Sequence, residues 1–220
     1  MPDLGALEQD KEQREKTMIA ARPIQGTISG GRRARWIIDP DRTKVGFRVG
    51  LMKVATVRGR LGRLKGTAML DDDAPHWSRV DLSVDATSID TRNRLRDAHL
   101  RTGDYLDVGR YPNITFESTH VVPLDAATYL VTGDLTIRGI TRAISVDVSL
   151  DEASAYRLGR RGFTARTRLD RREYGVDPGV AGFGFLIGGE MVISVRGEAF
   201  EHPRYGDGIP GEEARRCANC

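Results

Sequence analysis

A chain of 220 residues, 39% hydrophobic and 30% charged, is long enough for one sizeable domain and too polar for a membrane-embedded protein. No run approaches the roughly 20 apolar residues that a transmembrane helix needs. The net charge of +3 is the difference between 34 basic and 31 acidic residues, an even balance that reads as solvated surface, so no nucleic-acid partner is expected. Most of the basic residues are arginines, a side chain suited to phosphate or anionic lipid headgroups.

Residues 1–33 read as a flexible charged extension. Glu8 to Lys16 is almost continuously charged, unlike a basic-then-apolar export signal, and the cytoplasm is therefore the expected compartment. Gly26 to Gly31 (GTISGG) is a linker composition. The structured domain is expected over 34–200, beginning with a strand at Ala34 to Ile38 and the turn Asp39-Pro40-Asp41. Val45, Phe47, Val49 and Leu51 then alternate with Lys44, Gly46, Arg48 and Gly50, the period of a strand with one buried side. Val57 to Leu70 carries Gly59, Gly62 and Gly66, as expected of a segment bent at a barrel corner.

After the alternation of Val80, Leu82 and Val84 the pattern changes. Asp90 and Thr91 are candidate N-caps, and Leu95, Ala98 and His99 recur at helical spacing within Arg92 to Arg101, with Gly103 as the stop. Asp97 and Arg101, four apart, are placed to pair on such a helix. His99 is placed to hydrogen-bond a backbone carbonyl beneath it. Tyr111-Pro112 enforces an extended start to the strand Asn113 to Thr119. Period-two alternation returns in Tyr129, Val131, Leu135 and Ile137, in Ile144 to Leu150, in Phe163, Ala165 and Leu169, and in Met191, Ile193 and Val195. Residues 201–220 read as a mobile tail. Cys217 and Cys220 lie in it, so the body of the fold does not depend on disulfides.

About eight strands with one apolar face each, joined by short turns, predict a closed antiparallel barrel, which buries those faces and removes exposed edges. A barrel of this size is either filled by side chains or holds one small ligand. The inward faces carry no cluster of ionisable groups and suit a hydrocarbon, which gains about 0.8 kcal/mol per buried methylene. Enzyme signatures are missing: His76, His99, His120 and His202 fall in different elements, and there is no HExxH, GxSxG or P-loop. Neither catalytic nor metal-ligating residues are predicted.

Several separate segments resemble the signature of the YceI-like, polyisoprenoid-binding family. They are Ser88-Ile89-Asp90-Thr91, Arg96 to Arg101 (RDAHLR), Tyr111-Pro112 with Ile114, Phe116 and Ser118-Thr119, Gly133 to Thr141 (GDLTIRGIT), and Gly162 to Ala165 leading to Asp170 to Gly175 (DRREYG). The similarity spans Trp36 to Phe200. It implies an all-β fold, an eight-stranded antiparallel lipocalin-like barrel with one short helix near an end. It also implies non-catalytic binding or carriage of a long-chain isoprenoid lipid, a polyprenyl diphosphate or prenylated quinone, as ligand and with no cofactor. On this reading Phe47, Val49, Phe116, Leu135, Phe163, Phe183 and Phe185 hold the tail, while Asn93, Arg96, His99 and Arg101 offer donors to a polar head. The family commonly has a His-Ser pair after the first turn and a His ending the second strand, where this chain has Arg42-Thr43 and Gly50. A homodimer and peripheral membrane contact are further expectations. The alternative is a stress-related interaction protein with a packed barrel and no cargo.

Overall fold

The structure, a computed structural model, describes residues 33–51, 55–71, 74–151, 159–177 and 187–202. All of the expected extension except Arg33, most of the expected tail with both cysteines, and Phe183 and Phe185 lie outside these residues. The described residues form ten strands and one α-helix, besides short 3-10 turns: β1 (Arg33–Ile38), β2 (Lys44–Leu51), β3 (Ala55–Leu61), β4 (Leu64–Asp71), β5 (Arg79–Asp85), α1 (Arg94–Leu100), β6 (Asn113–Pro123), β7 (Thr128–Ile137), β8 (Ile140–Leu150), β9 (Arg160–Asp170) and β10 (Ile187–Glu201).

All pairings are antiparallel, and the sheet closes on itself through β10. Its register shows β1 and β2 to be two parts of one long strand. Trp36 faces Glu201 and Ile38 faces Ala199, then Lys44 faces Arg196 and Leu51 faces Ile187, all along the same edge of β10. β3 and β4 are likewise continuous, pairing with β2 (Val45 opposite Leu61) and then with β1 (Trp36 opposite Ala68). The first interruption holds Pro40, which has no N–H to give a ladder, and an Asx turn in which the Asp39 carboxylate accepts from Asp41 N at 3.1 Å. The second is Gly62-Arg63, with Arg63 at φ 52°. Counted this way the wall is an eight-stranded barrel.

Closure buries the alternating faces. One cluster gathers Ile89, Leu106, Phe116, Leu135, Leu169 and Tyr174, and another gathers Trp36, Ile38, Val45, Leu64 and Val84. Tight turns fit their sequences: Arg138-Gly139 joins β7 to β8 with both residues at positive φ (52° and 72°), as a two-residue hairpin turn demands. The Asp125 carboxylate braces the β6–β7 turn by accepting from Ala127 N and Thr128 N, both at 2.8 Å.

The helix departs from its sequence-based expectation. It is shorter, and its N-cap is Asn93, whose Oδ1 accepts from Arg96 N at 3.0 Å. The expected apolar face does not face inward, since Leu95 is 85% exposed and Ala98 and His99 are also exposed. Arg96, Asp97 and Leu100 turn toward the barrel instead. The expected Asp97–Arg101 pair is replaced by two separate anchors. The buried Asp97 carboxylate accepts from Thr91 N (2.9 Å) and Thr91 Oγ1 (2.6 Å), while Arg101 donates to the Thr87 and Ile89 carbonyls at 2.8 and 2.6 Å. A helix of 7 residues cannot stand by itself, and this one is held by hydrogen bonds to the preceding loop rather than by an apolar stripe.

Candidate functional site: an apolar cavity along the barrel

The barrel is not filled. A cavity of about 360 Å³ lies inside it, lined by residues from all ten strands and from α1, within the size range of small-molecule sites. Period-two alternation is the reason: each strand sends every second side chain inward, and those side chains are overwhelmingly Val, Ile, Leu and Phe. Of the residues expected to hold a tail, Phe47, Val49, Phe116, Leu135 and Phe163 all line the cavity. Val49, Phe116 and Leu135 are buried, while Phe47 and Phe163 are partly exposed.

One end of the barrel is capped by α1, by Tyr105 and Leu106 beneath it, and by the turn Arg171–Tyr174. This is where the residues expected to meet a polar head lie, and their hydrogen bonds hold the cap together. Arg96 lines the cavity, but its guanidinium donates to Thr91 Oγ1 (2.7 Å) and Thr91 O (2.9 Å). Asn93 caps the helix and Arg101 binds the two carbonyls above. His99 is exposed, with its ring edge-on to Tyr105 at 5.0 Å and Nε2 3.7 Å from the Asp104 carboxylate rather than bonded to a carbonyl. Arg171, also on the lining, donates to Gly188 O at 3.0 Å and to Val176 O, and pairs with Asp177 at 3.7 Å. Burial raises the Tyr105 phenol above its ordinary pKa and pushes Tyr174 up to about 12.

At the opposite end, where the chain enters β1 and leaves β10, the lining includes Asp71, Ser78, Tyr129 and Arg161. The Asp71 carboxylate accepts from Arg33 Nε (2.9 Å) and Ala74 N (2.8 Å). Arg161 differs from Arg96 and Arg171. Its guanidinium carbon stands 5.1 Å from the centre of the Trp36 ring, and among the described residues it has no hydrogen-bonding or acidic partner. Sequence reasoning missed it, although counting back by two from the inward Phe163 leads to Arg161.

The family model for YceI-like domains matches residues 36–199. The chain belongs to the YceI-like family. Among its relatives, the UPF0312 protein of Vibrio parahaemolyticus is 32% identical over 151 residues, covering 67% of this chain and 80% of that protein. The UPF0312 protein of Vibrio campbellii is 33% identical over 149 residues, covering 66% and 79%. Solved structures share the fold. BcnA of Burkholderia cenocepacia superposes with a TM-score of 0.67 at 20% identity, covering 73% of this chain and 98% of that one. A polyisoprenoid binding domain from Saccharophagus degradans, described as implicated in plant cell wall breakdown, superposes with a TM-score of 0.59 at 13% identity, covering 78% and 100%. The YceI-like barrel of this chain thus has its family's architecture, with the Trp36–Arg161 stack at one end of its interior. Among the described residues no helix is long and apolar enough to cross a membrane.

Proposed function

We propose that this YceI-like protein binds and carries one long isoprenoid chain, a polyprenyl diphosphate or a prenylated quinone, without catalysing its conversion. The observation that carries this reading is the cavity of about 360 Å³ with its nearly continuous aliphatic and aromatic lining. Each methylene transferred from water into such a lining contributes about 0.8 kcal/mol, so a long chain is retained by its length rather than by any single contact. Phe47, Val49, Phe116, Leu135 and Phe163 are the proposed tail contacts. The polyisoprenoid binding domain among the structural neighbours supports the choice of cargo.

The polar head is assigned to the end where Arg161 stands, since Arg96 and Arg101 already hold backbone carbonyls at the capped end. Among the described residues the Arg161 guanidinium has no carboxylate partner, and it offers planar paired donors to a diphosphate or to a quinone oxygen. Tyr129, on the lining at the same end, adds a phenol. The test is mass spectrometry of an organic extract of the purified protein beside a denatured control. A stoichiometric isoprenoid or quinone is expected. An empty extract together with no uptake of added prenyl lipids overturns the carrier reading in favour of an interaction protein.

A further inference from the structure

The even charge balance of the chain hides a segregation that only the strand register reveals. On the outer wall, β9, β10, β2 and β3 lie side by side. Arg168, Val192, Arg48 and Arg58 form one row across these four strands. Arg166, Ser194, Gly46 and Arg60 form the next, and Thr164, Arg196 and Lys44 the third. Lys44, Arg48, Arg58, Arg166, Arg168 and Arg196 are all exposed, and among the described residues none of them forms an ion pair or a hydrogen bond through its side chain. Only Arg60 is neutralised, by Asp90 at 2.6 Å.

Two of these contacts are unfavourable by design rules that sheets otherwise follow. Arg48 stands directly opposite Arg58, and Lys44 directly opposite Arg196, although like charges facing each other across strands destabilise a sheet. The three rows contain no carboxylate. Acids occur at the margins, as Asp147 opposite Arg166 and as Asp170 opposite Glu190. Val192, Ser194 and Gly46 keep the centre low, so the cations are free to converge on one external surface.

We propose that this face of β9, β10, β2 and β3 docks the barrel onto an anionic phospholipid membrane. Basic side chains near such a surface are attracted collectively, with no requirement for a fixed array of partners. The described face has no aromatic or amide side chain with which to stack on or read bases, which disfavours nucleic acid. The choice of a membrane over other polyanions rests on the carrier reading, because a protein that collects or delivers a lipid must meet a bilayer.

The experiment is co-sedimentation of the full chain with vesicles of phosphatidylcholine, alone or mixed with phosphatidylglycerol. Binding only to the mixed vesicles is expected, weakening steeply with added salt. Arg48→Glu/Arg58→Glu is expected to lower the partition coefficient by about tenfold or more. Arg35→Glu/Arg94→Glu, an equal change of net charge at exposed sites off this face, is expected to retain most of the binding. Equal loss in both variants, equal binding to neutral vesicles, no binding to either, or tighter binding to a DNA duplex than to the mixed vesicles would each overturn the docking surface. Uptake of a prenyl lipid, measured in parallel, separates the two readings. An Arg48→Glu/Arg58→Glu protein that loads cargo and ignores vesicles supports docking. A wild type that binds mixed vesicles but never loads cargo sinks the carrier while leaving the basic face standing.

Discussion

The ring of Phe47 occupies the space that a side chain at Gly59 would need. The two residues face each other across β2 and β3, and a Cβ on Gly59 would lie 2.2 Å from Phe47 Cζ and 2.9 Å from Thr91 Cγ2. The phenyl ring therefore lies flat against the wall instead of standing in the cavity. Gly59→Ala is expected to push it inward, into empty volume, at a stability cost of no more than about 1 kcal/mol. Uptake of prenyl lipid should fall several-fold, read by titration beside a urea unfolding curve.

Gly133 offers the contrasting case. A Cβ there would meet Glu117 O at 2.4 Å and Ser118 Cα at 2.7 Å, and backbone atoms of a paired strand cannot rotate away. Gly133→Ala is expected to separate β6 from β7 locally and to destabilise by about 1–3 kcal/mol. Calorimetry showing an unchanged melting temperature would contradict this.

At the end opposite α1, Arg161→Gln removes the cation above Trp36 while keeping a polar side chain. Affinity for a polyprenyl diphosphate should fall about tenfold or more, the worth of one charge-assisted contact. Affinity for the neutral prenol of the same length should stay unchanged. Trp36 is buried and Trp77 is 57% exposed, so the blue-shifted part of the tryptophan emission reports on this stack during the titration.

The Asp97 carboxylate is one of the two anchors of the cap. Asp97→Ala would leave Thr91 N and Thr91 Oγ1, on a residue only 5% exposed, without their acceptor, at a cost of about 2–3 kcal/mol. Asp97→Asn retains an acceptor oxygen and should recover most of that loss. If α1 gates the cavity, cargo exchange accelerates in the alanine variant and not in the asparagine one, which stopped-flow uptake can decide.

Tyr174 sets an alkaline limit. It is fully buried, and among the described residues its hydroxyl has no hydrogen-bond partner. Burial raises its pKa from 10.0 to about 12. The folded state thus holds the phenolic proton more tightly than the unfolded state. Stability from this group is complete below pH 10 and is lost as pH rises toward 12, about 2–3 kcal/mol in total. Tyr174→Phe is expected to be nearly neutral at pH 7 and to flatten the alkaline limb of a stability profile.

The inward faces of β2, β5 and β7–β10 were legible because period two survives in every one of them, and the cavity-lining Phe47, Val49, Leu135 and Phe163 lie on those faces. The helix face was not. Spacing singled out Leu95 and Ala98, whereas the side turned to the barrel is chosen by what Asp97, Arg96 and Arg101 can bond to, and hydrogen-bond partners in a loop leave no periodic trace. Arg161 lay on an alternation that had been followed only as far as its apolar members. The basic face was invisible for another reason. Arg168, Arg48 and Arg58 come from three separated segments, and nothing short of the register places them in one row.

Closure through β10 also has a temporal meaning. The pair Trp36 and Glu201 joins the two extremes of the domain, and β10 supplies partners for β1, β2 and β9 together. Such non-local pairing is slow to form because the loop entropy must be lost first. Until β10 is added, β9 on one side and the β1–β2 strand on the other expose unsatisfied edges. A chain released before Phe200 would present two templates for pairing with its neighbours. Addition of β10 is therefore the step that closes the barrel and removes both edges.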